Sequence, residues 1–189
     1  MMPLDLQPQL QERVVCSISA AAKYDIPANL LLAVAEQEGG KTGQWVRNTN
    51  GTHDIGAMQF NTAYLASELA RYGITPVDGA AAGCYAYDLA SWRLRMHLRN
   101  DQGDLWTRAA NYHSRTPQYN AIYRAQLVQR AAKWGAWLEA RFATLDVTPG
   151  TPGPAPRSAS PQRAGVTALA PPAIGYTARA ITPSTPSTP

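Results

Sequence analysis

No apolar run in the sequence is long enough to cross a bilayer; the longer ones, such as Leu30–Ala35, fall far short of the ~20 residues a spanning helix needs. The opening residues, MMPLDLQPQLQERVV, lack a basic stretch followed by an apolar one, so no secretory signal is read there, and a trimmed signal or another export route are the two alternatives. A field of one charge is also missing. Of 17 basic and 13 acidic residues, Arg157, Arg163 and Arg179 fall beyond Asp146, where there is no acid, which leaves 14 against 13 in residues 1–146. A nucleic-acid partner is therefore not expected. His53, His97 and His113 have no metal-ligand spacing, and no glycine loop suited to a phosphate is present, so neither metal nor cofactor is expected. Ser114 stands beside His113, and adjacent residues seldom face each other as nucleophile and base. Cysteine is scarce: Cys16 and Cys84 read equally as two buried thiols or one bridge.

What is present suits one compact core. The chain has 189 residues, 45% of them hydrophobic, and ten of its 15 prolines lie after Asp146. That shift in composition predicts a folded domain over residues 9–146, a flexible segment over residues 1–8, and a Pro/Thr/Ser/Ala-rich tail over residues 147–189 that stays disordered. Residues 164–181 are less polar and read as a spacer, with a docking segment as the alternative.

Periodicity predicts about six helices. Leu10, Val14, Ile18 and Ala22 mark the first, ending near Tyr24; the second starts at Pro27 and stops at Gly39-Gly40; the third runs from Asn61 through Tyr64, Leu65, Leu69 and Tyr72 to Gly73. Tyr85, Leu89, Trp92 and Met96 mark the fourth, with Arg93, Arg95 and Arg99 off the stripe. A short fifth spans Asp104 to about Tyr112, and a sixth begins near Thr116-Pro117 with Leu127, Ala131, Trp134, Leu138 and Phe142 on one side. Asn50-Gly51 predicts a two-residue hairpin between the second and third, pairing Thr49 with Thr52, Asn48 with His53, and Arg47 with Asp54.

Glu38 is the leading candidate for chemistry. It follows Leu31 by seven residues and Val34 by four, which places it on their apolar face, whereas Glu36 is turned toward solvent. At a helix C-terminus both desolvation and the helix dipole favour its protonated form, as a general acid requires. A helix-end Glu that merely snorkels is the alternative. One loop further comes NTNGTHDIGAMQFN, residues 48–61, and later AANYHSRTPQYNAIY, residues 109–123.

Together these strings resemble the lysozyme-like superfamily of peptidoglycan-cleaving enzymes. Glu38-Gly39-Gly40, then Gly56-Ala57-Met58-Gln59-Phe60-Asn61, then the Tyr112 segment follow the order found in lytic transglycosylases, with His113-Ser114-Arg115 replacing the more usual Asn-Ala-Gly. The likeness is strongest to the small transglycosylases of conjugative type IV secretion, type III secretion and pilus systems. It implies a mainly α, lysozyme-like α+β fold with one small β-hairpin, and a Cys16–Cys84 disulfide. It implies cleavage of the β-1,4 bond between N-acetylmuramic acid (MurNAc) and N-acetylglucosamine (GlcNAc), with Glu38 as acid and then base, closing a 1,6-anhydro ring. Gly56, Met58, Gln59, Asn61, Tyr112, His113 and Tyr123 are the implied substrate-binding residues, Tyr123 being preferred to Tyr119 four residues earlier. Bland alternatives stand beside some of them: a hydrogen bond at a helix entry for Gln59, core packing for Met58 and Tyr112.

Asp54 matches the second carboxylate of hen-type lysozymes; a supporting role, or the Arg47 ion pair of the hairpin register, is the reading preferred here. The implied protein is a periplasmic or cell-envelope monomer acting on glycan strands, with the tail available to components of a secretion apparatus. A two-carboxylate muramidase using Glu38 and Asp54, and a non-catalytic glycan-binding or assembly module, are the alternatives.

Overall fold

A computed structural model describes residues 6–146 and 179–181. Helix α1, Pro8–Tyr24, begins with a proline whose missing N–H costs nothing in a first turn, and ends at Asp25 in the left-handed conformation. Pro27 restarts the chain into α2, Ala28–Glu38. Every residue from Ala28 to Ala35 is at most 2% exposed, so α2 is apolar all round because it is the central helix, not an amphipathic one. Its polar exception, Asn29, donates from Nδ2 to the Ala131 carbonyl at 3.2 Å. Helix α5, Tyr85–Asn100, and helix α7, Pro117–Glu139, complete the enclosure, with α6, Leu105–Ala110, against α7. The disulfide Cys16–Cys84 ties α1 to the start of α5 with Cα atoms 4.9 Å apart.

The stripes on α1 and α5 are rotated from the sequence reading. In α5 the buried residues are Ala86, Tyr87, Leu89, Ala90, Ser91, Leu94 and His97, while Tyr85 and Met96 are more than 40% exposed. In α1 Val14, Ser17 and Ala21 are buried and Ala22 is exposed. Small residues permit close helix packing, so Ala and Ser, rather than the bulkiest side chains, mark the inner face. On α7, Leu127, Ala131 and Leu138 are buried, but Phe142 lies beyond the helix end and is 37% exposed.

Strands β1, Trp45–Arg47, β2, His53–Ile55, and β3, Phe60–Asn61, form an antiparallel sheet in that order. The predicted hairpin register is wrong by one residue: Val46 pairs with Asp54 and Arg47 with His53. The Asn48 N–H reaches the Thr52 carbonyl, and that of Gly51 reaches Asn48. Of the turn residues only Gly51 has a positive φ, 84°. This is a three-residue loop with glycine at the left-handed bulge position, not a two-residue turn needing positive φ twice. The expected Arg47–Asp54 ion pair is consequently lost, since the slip puts the two side chains on opposite faces.

Asn61 is still in β3, and its Oδ1 caps the next helix by accepting the Ala63 N–H at 3.0 Å. That helix, α3, Thr62–Tyr64, widens into a π turn, Leu65–Leu69, and tightens into a 3-10 turn, Ala70–Tyr72. Leu65 and Leu69 are buried while Tyr72 is 58% exposed. Helix α4, Pro76–Ala80, is a seventh helix, set by a Thr75/Asp78 capping box and too short for periodicity to reveal. Beyond α7, β4, Thr144–Asp146, pairs antiparallel with β5, Arg179–Ile181, next to α1 and α2. The expectation of a disordered tail otherwise falls on residues 147–178 and 182–189, outside the described residues, as do residues 1–5. No helix among the described residues is long and apolar enough to cross a membrane.

Candidate active site

Glu38 is the last residue of α2, and Gly39, at φ 62°, ends the helix immediately after it. The chain must then pass backbone to backbone. A Cβ on Gly40 would sit 2.1 Å from the Gly56 carbonyl oxygen, and one on Gly56 would sit 2.1 Å from that of Gly79. The two glycines thus lock the end of α2, the turn between β2 and β3, and α4 into one stack. Gly56 is part of this frame.

The Tyr123 hydroxyl, from α7, donates to Glu38 Oε1 at 2.6 Å. With that oxygen accepting, Oε2 is left to carry the acid's own proton. Burial pushes the Glu38 carboxyl up from its ordinary 4.5 to about 7; the Tyr123 hydrogen bond and the positive charge of Arg93 pull it down, and the charge of Asp54 adds a small upward push. The group thus keeps its proton well above the ordinary carboxylate range. Tyr123 is itself almost fully buried, and burial beside Glu38 drives its hydroxyl well above the usual range, so it remains a donor.

His113 stacks on the Tyr123 ring, the centroids 4.9 Å apart and the planes 2° from parallel. Burial and the Arg93 charge lower its pKa, favouring the neutral imidazole. Gln37, Glu38, His113, Tyr119, Ile122, Tyr123 and Gln126 line a cavity of about 180 Å³. Larger cavities of about 270 and 410 Å³ contain none of the predicted site residues, so here the acid, not the volume, marks the site.

The remaining predicted residues do not line this cavity. Tyr112 is 3% exposed and donates its hydroxyl to the Met58 carbonyl at 3.2 Å; Met58 is fully buried. Gln59 adopts φ 48°, unusual for a residue with a Cβ, and its Nε2 donates to the Gly56 carbonyl at 2.9 Å. Asn61 Nδ2 donates to Asp54 Oδ1 at 2.9 Å and to Thr52 Oγ1 at 3.0 Å. Asp54 is therefore held by an amide instead of a guanidinium, on the sheet face opposite Arg47. Tyr119 is 56% exposed at the cavity's edge.

Two residues escaped the sequence reading. Glu36 does not simply face solvent: Arg130 donates to its Oε1 at 2.6 Å and the Trp134 indole to its Oε2 at 2.7 Å. Arg93 points inward, with its guanidinium over the rings of Tyr64 and Tyr112. The spacing held a signal, because Arg93 lies four residues after Leu89 and four before His97, both buried.

Residues 15–127, well over half of the chain, match the family model described as the transglycosylase SLT domain. No curated protein matches the chain.

Proposed function

The chain belongs to the transglycosylase SLT family, whose members are lytic transglycosylases acting on peptidoglycan, and from that premise we propose that Glu38 is the single acid and base of the reaction. The observation that supports this best is a carboxyl group at a helix end, raised to about 7 by burial and held through one oxygen by Tyr123. In the first step Oε2 gives its proton to the glycosidic oxygen between MurNAc and GlcNAc, and the C1–O bond breaks. In the second, the MurNAc C6 hydroxyl attacks C1 and returns its proton to the carboxylate. A 1,6-anhydro ring forms, no water is consumed, and Glu38 ends as it began. Its cavity is the natural place for the muramoyl residue, with His113 and Tyr123 on one wall. Tyr112, Met58, Gln59, Gly56 and Asn61 shape the groove.

Asp54 acts on the transition state through its charge rather than as a second reacting carboxylate, consistent with its bond to Asn61. The test is mass spectrometry of digested sacculi. Muropeptides one water lighter than reducing-end products are expected from the wild type and from Asp54→Asn, and at least about a hundredfold fewer from Glu38→Gln. Reducing MurNAc ends, with Asp54→Asn as inactive as Glu38→Gln, identify a two-carboxylate muramidase instead.

The substrate and the disulfide support an envelope or periplasmic setting, and the resemblance to the small transglycosylases of conjugation, secretion and pilus systems supports local opening of the wall for such an apparatus. The catalytic unit is residues 9–146, with the tail used for recruitment. A chain ending at Asp146 also loses the pairing of β4 with Arg179–Ile181, and is expected to cleave sacculi about as well as the whole chain while failing in apparatus assembly. Loss of cleavage by that folded fragment places the tail in the groove.

A further inference from the structure

Arg93 is a cation with aromatic surroundings. Its guanidinium carbon lies 4.2 Å from the ring centre of Tyr64 and 4.5 Å from that of Tyr112, and its Nε is shut off from solvent with no hydrogen-bond partner. A charge placed there is costly to desolvate, and two ring faces offset only part of that cost. The placement is informative because of what it joins. Tyr64 leads into the π turn, and Tyr112 is bonded to the Met58 carbonyl; the next residue, His113, stacks on the tyrosine that holds Glu38.

We propose that Arg93 is a positioning residue for Glu38: clamped between Tyr64 and Tyr112, its guanidinium fixes the Tyr112–His113 turn against Tyr123 and keeps a positive charge facing the carboxyl group. The inference rests on the reading of Glu38 as the acid.

The groups acting on Glu38 come from three packed elements. Tyr123 on α7 and Arg93 on α5 favour the carboxylate, and Asp54 on β2 opposes it. His113, from the turn before α7, shares the cavity. Arg93 also acts by charge on Tyr64, Tyr112, His113 and Tyr123, so one cation biases the whole cluster. Removing it takes away a charge that favours ionised Glu38, so the pKa of Glu38 must rise. The acid then stays protonated to higher pH but gives up its proton less readily, so the maximal rate falls while the alkaline limb moves up.

The test is a carbon-13 titration of the side-chain carboxyl groups in wild type, Arg93→Met and Arg93→Lys, with the Glu38 signal assigned by its absence from Glu38→Gln. Arg93→Met is expected to raise the Glu38 midpoint by about half a pH unit or more. Arg93→Lys, which keeps the charge without the flat stacking surface, is expected to hold the midpoint near the wild-type value while lowering the rate of sacculus cleavage. An unmoved midpoint in folded Arg93→Met, or an equal rise in both variants, overturns the proposal. If Arg93→Met does not fold, Arg93→Gln is read the same way. Because the titration needs no substrate, it stands apart from the activity of Glu38→Gln: full activity there removes the acid reading while the midpoints still judge Arg93.

Discussion

Glu36 and Glu38 stand two residues apart in the last turn of α2, and both are bound by α7, yet the two regions they enter differ in kind. On one side Glu36 meets a guanidinium and an indole N–H, Arg130 and Trp134, and its side chain is 30% exposed. On the other, Glu38 meets a phenol and is raised to about 7 by burial. The first arrangement ties two helices together through an ion pair. The second leaves a proton free to be given away. Residue type and helix position are nearly shared, so the difference lies in what the facing helix presents about two to three turns apart, at 123 and at 130 to 134.

The strongest way to break this comparison is Glu38→Gln, expected to lower sacculus cleavage by about 10²–10⁴-fold with the fold intact. The same variant carries a stability signature. A carboxyl whose pKa is raised from 4.5 to about 7 on folding holds extra protons in the native state, so its penalty is absent below 4.5 and grows as pH rises through 7. Thermal melts are expected to show Glu38→Gln more stable than wild type at pH 8 and level with it at pH 4. A variant less stable than wild type at pH 8 contradicts the buried, raised carboxyl.

Both regions depend on a rigid frame, and the Cys16–Cys84 bridge closes a 68-residue separation to hold α5 against α1. Cys16→Ser is expected to cost about 3 to 5 kcal/mol by urea unfolding under oxidising conditions. No change would mean that the bridge contributes nothing to the packing that carries Arg93.

Glu36→Ala probes the structural side. It strands the Arg130 and Trp134 donors and is expected to destabilise by about 1 to 3 kcal/mol, with the pH dependence of cleavage unmoved. A shifted pH profile would show that the two regions are coupled. The smallest expected effect comes from Tyr123→Phe: losing a donor to the ionised form raises the Glu38 pKa, so the alkaline limb moves up, with a loss of rate well below that of Glu38→Gln. A limb moving down would reverse the role given to Tyr123.

Much of this was legible in the residues. Gly39-Gly40 stops α2 directly after Glu38, and seven-residue spacing from Leu31 turns that side chain inward; both are local facts of a helix. The hairpin's existence was equally plain from Asn50-Gly51, but its register was not, because one extra loop residue costs little and flips every side chain. That slip turned a predicted Arg47–Asp54 pair into an Asn61–Asp54 bond. Arg93 is hidden for a different reason: the large apolar residues trace a stripe through Trp92 and Met96, whereas Ala86 and Ala90 mark the inner face. Glu36 faces away from Glu38, as the helix wheel requires, but no local pattern shows that Arg130 and Trp134, about a hundred residues later, come to meet it.

The most direct check of the central claim is the pH dependence of kcat/KM for sacculus cleavage. A single ionisation near pH 7 limiting the alkaline side, kept by Glu36→Gln, is the result this account predicts. Activity that stays flat from pH 5 to 9, or an alkaline limb near the ordinary carboxyl value of 4.5, contradicts it.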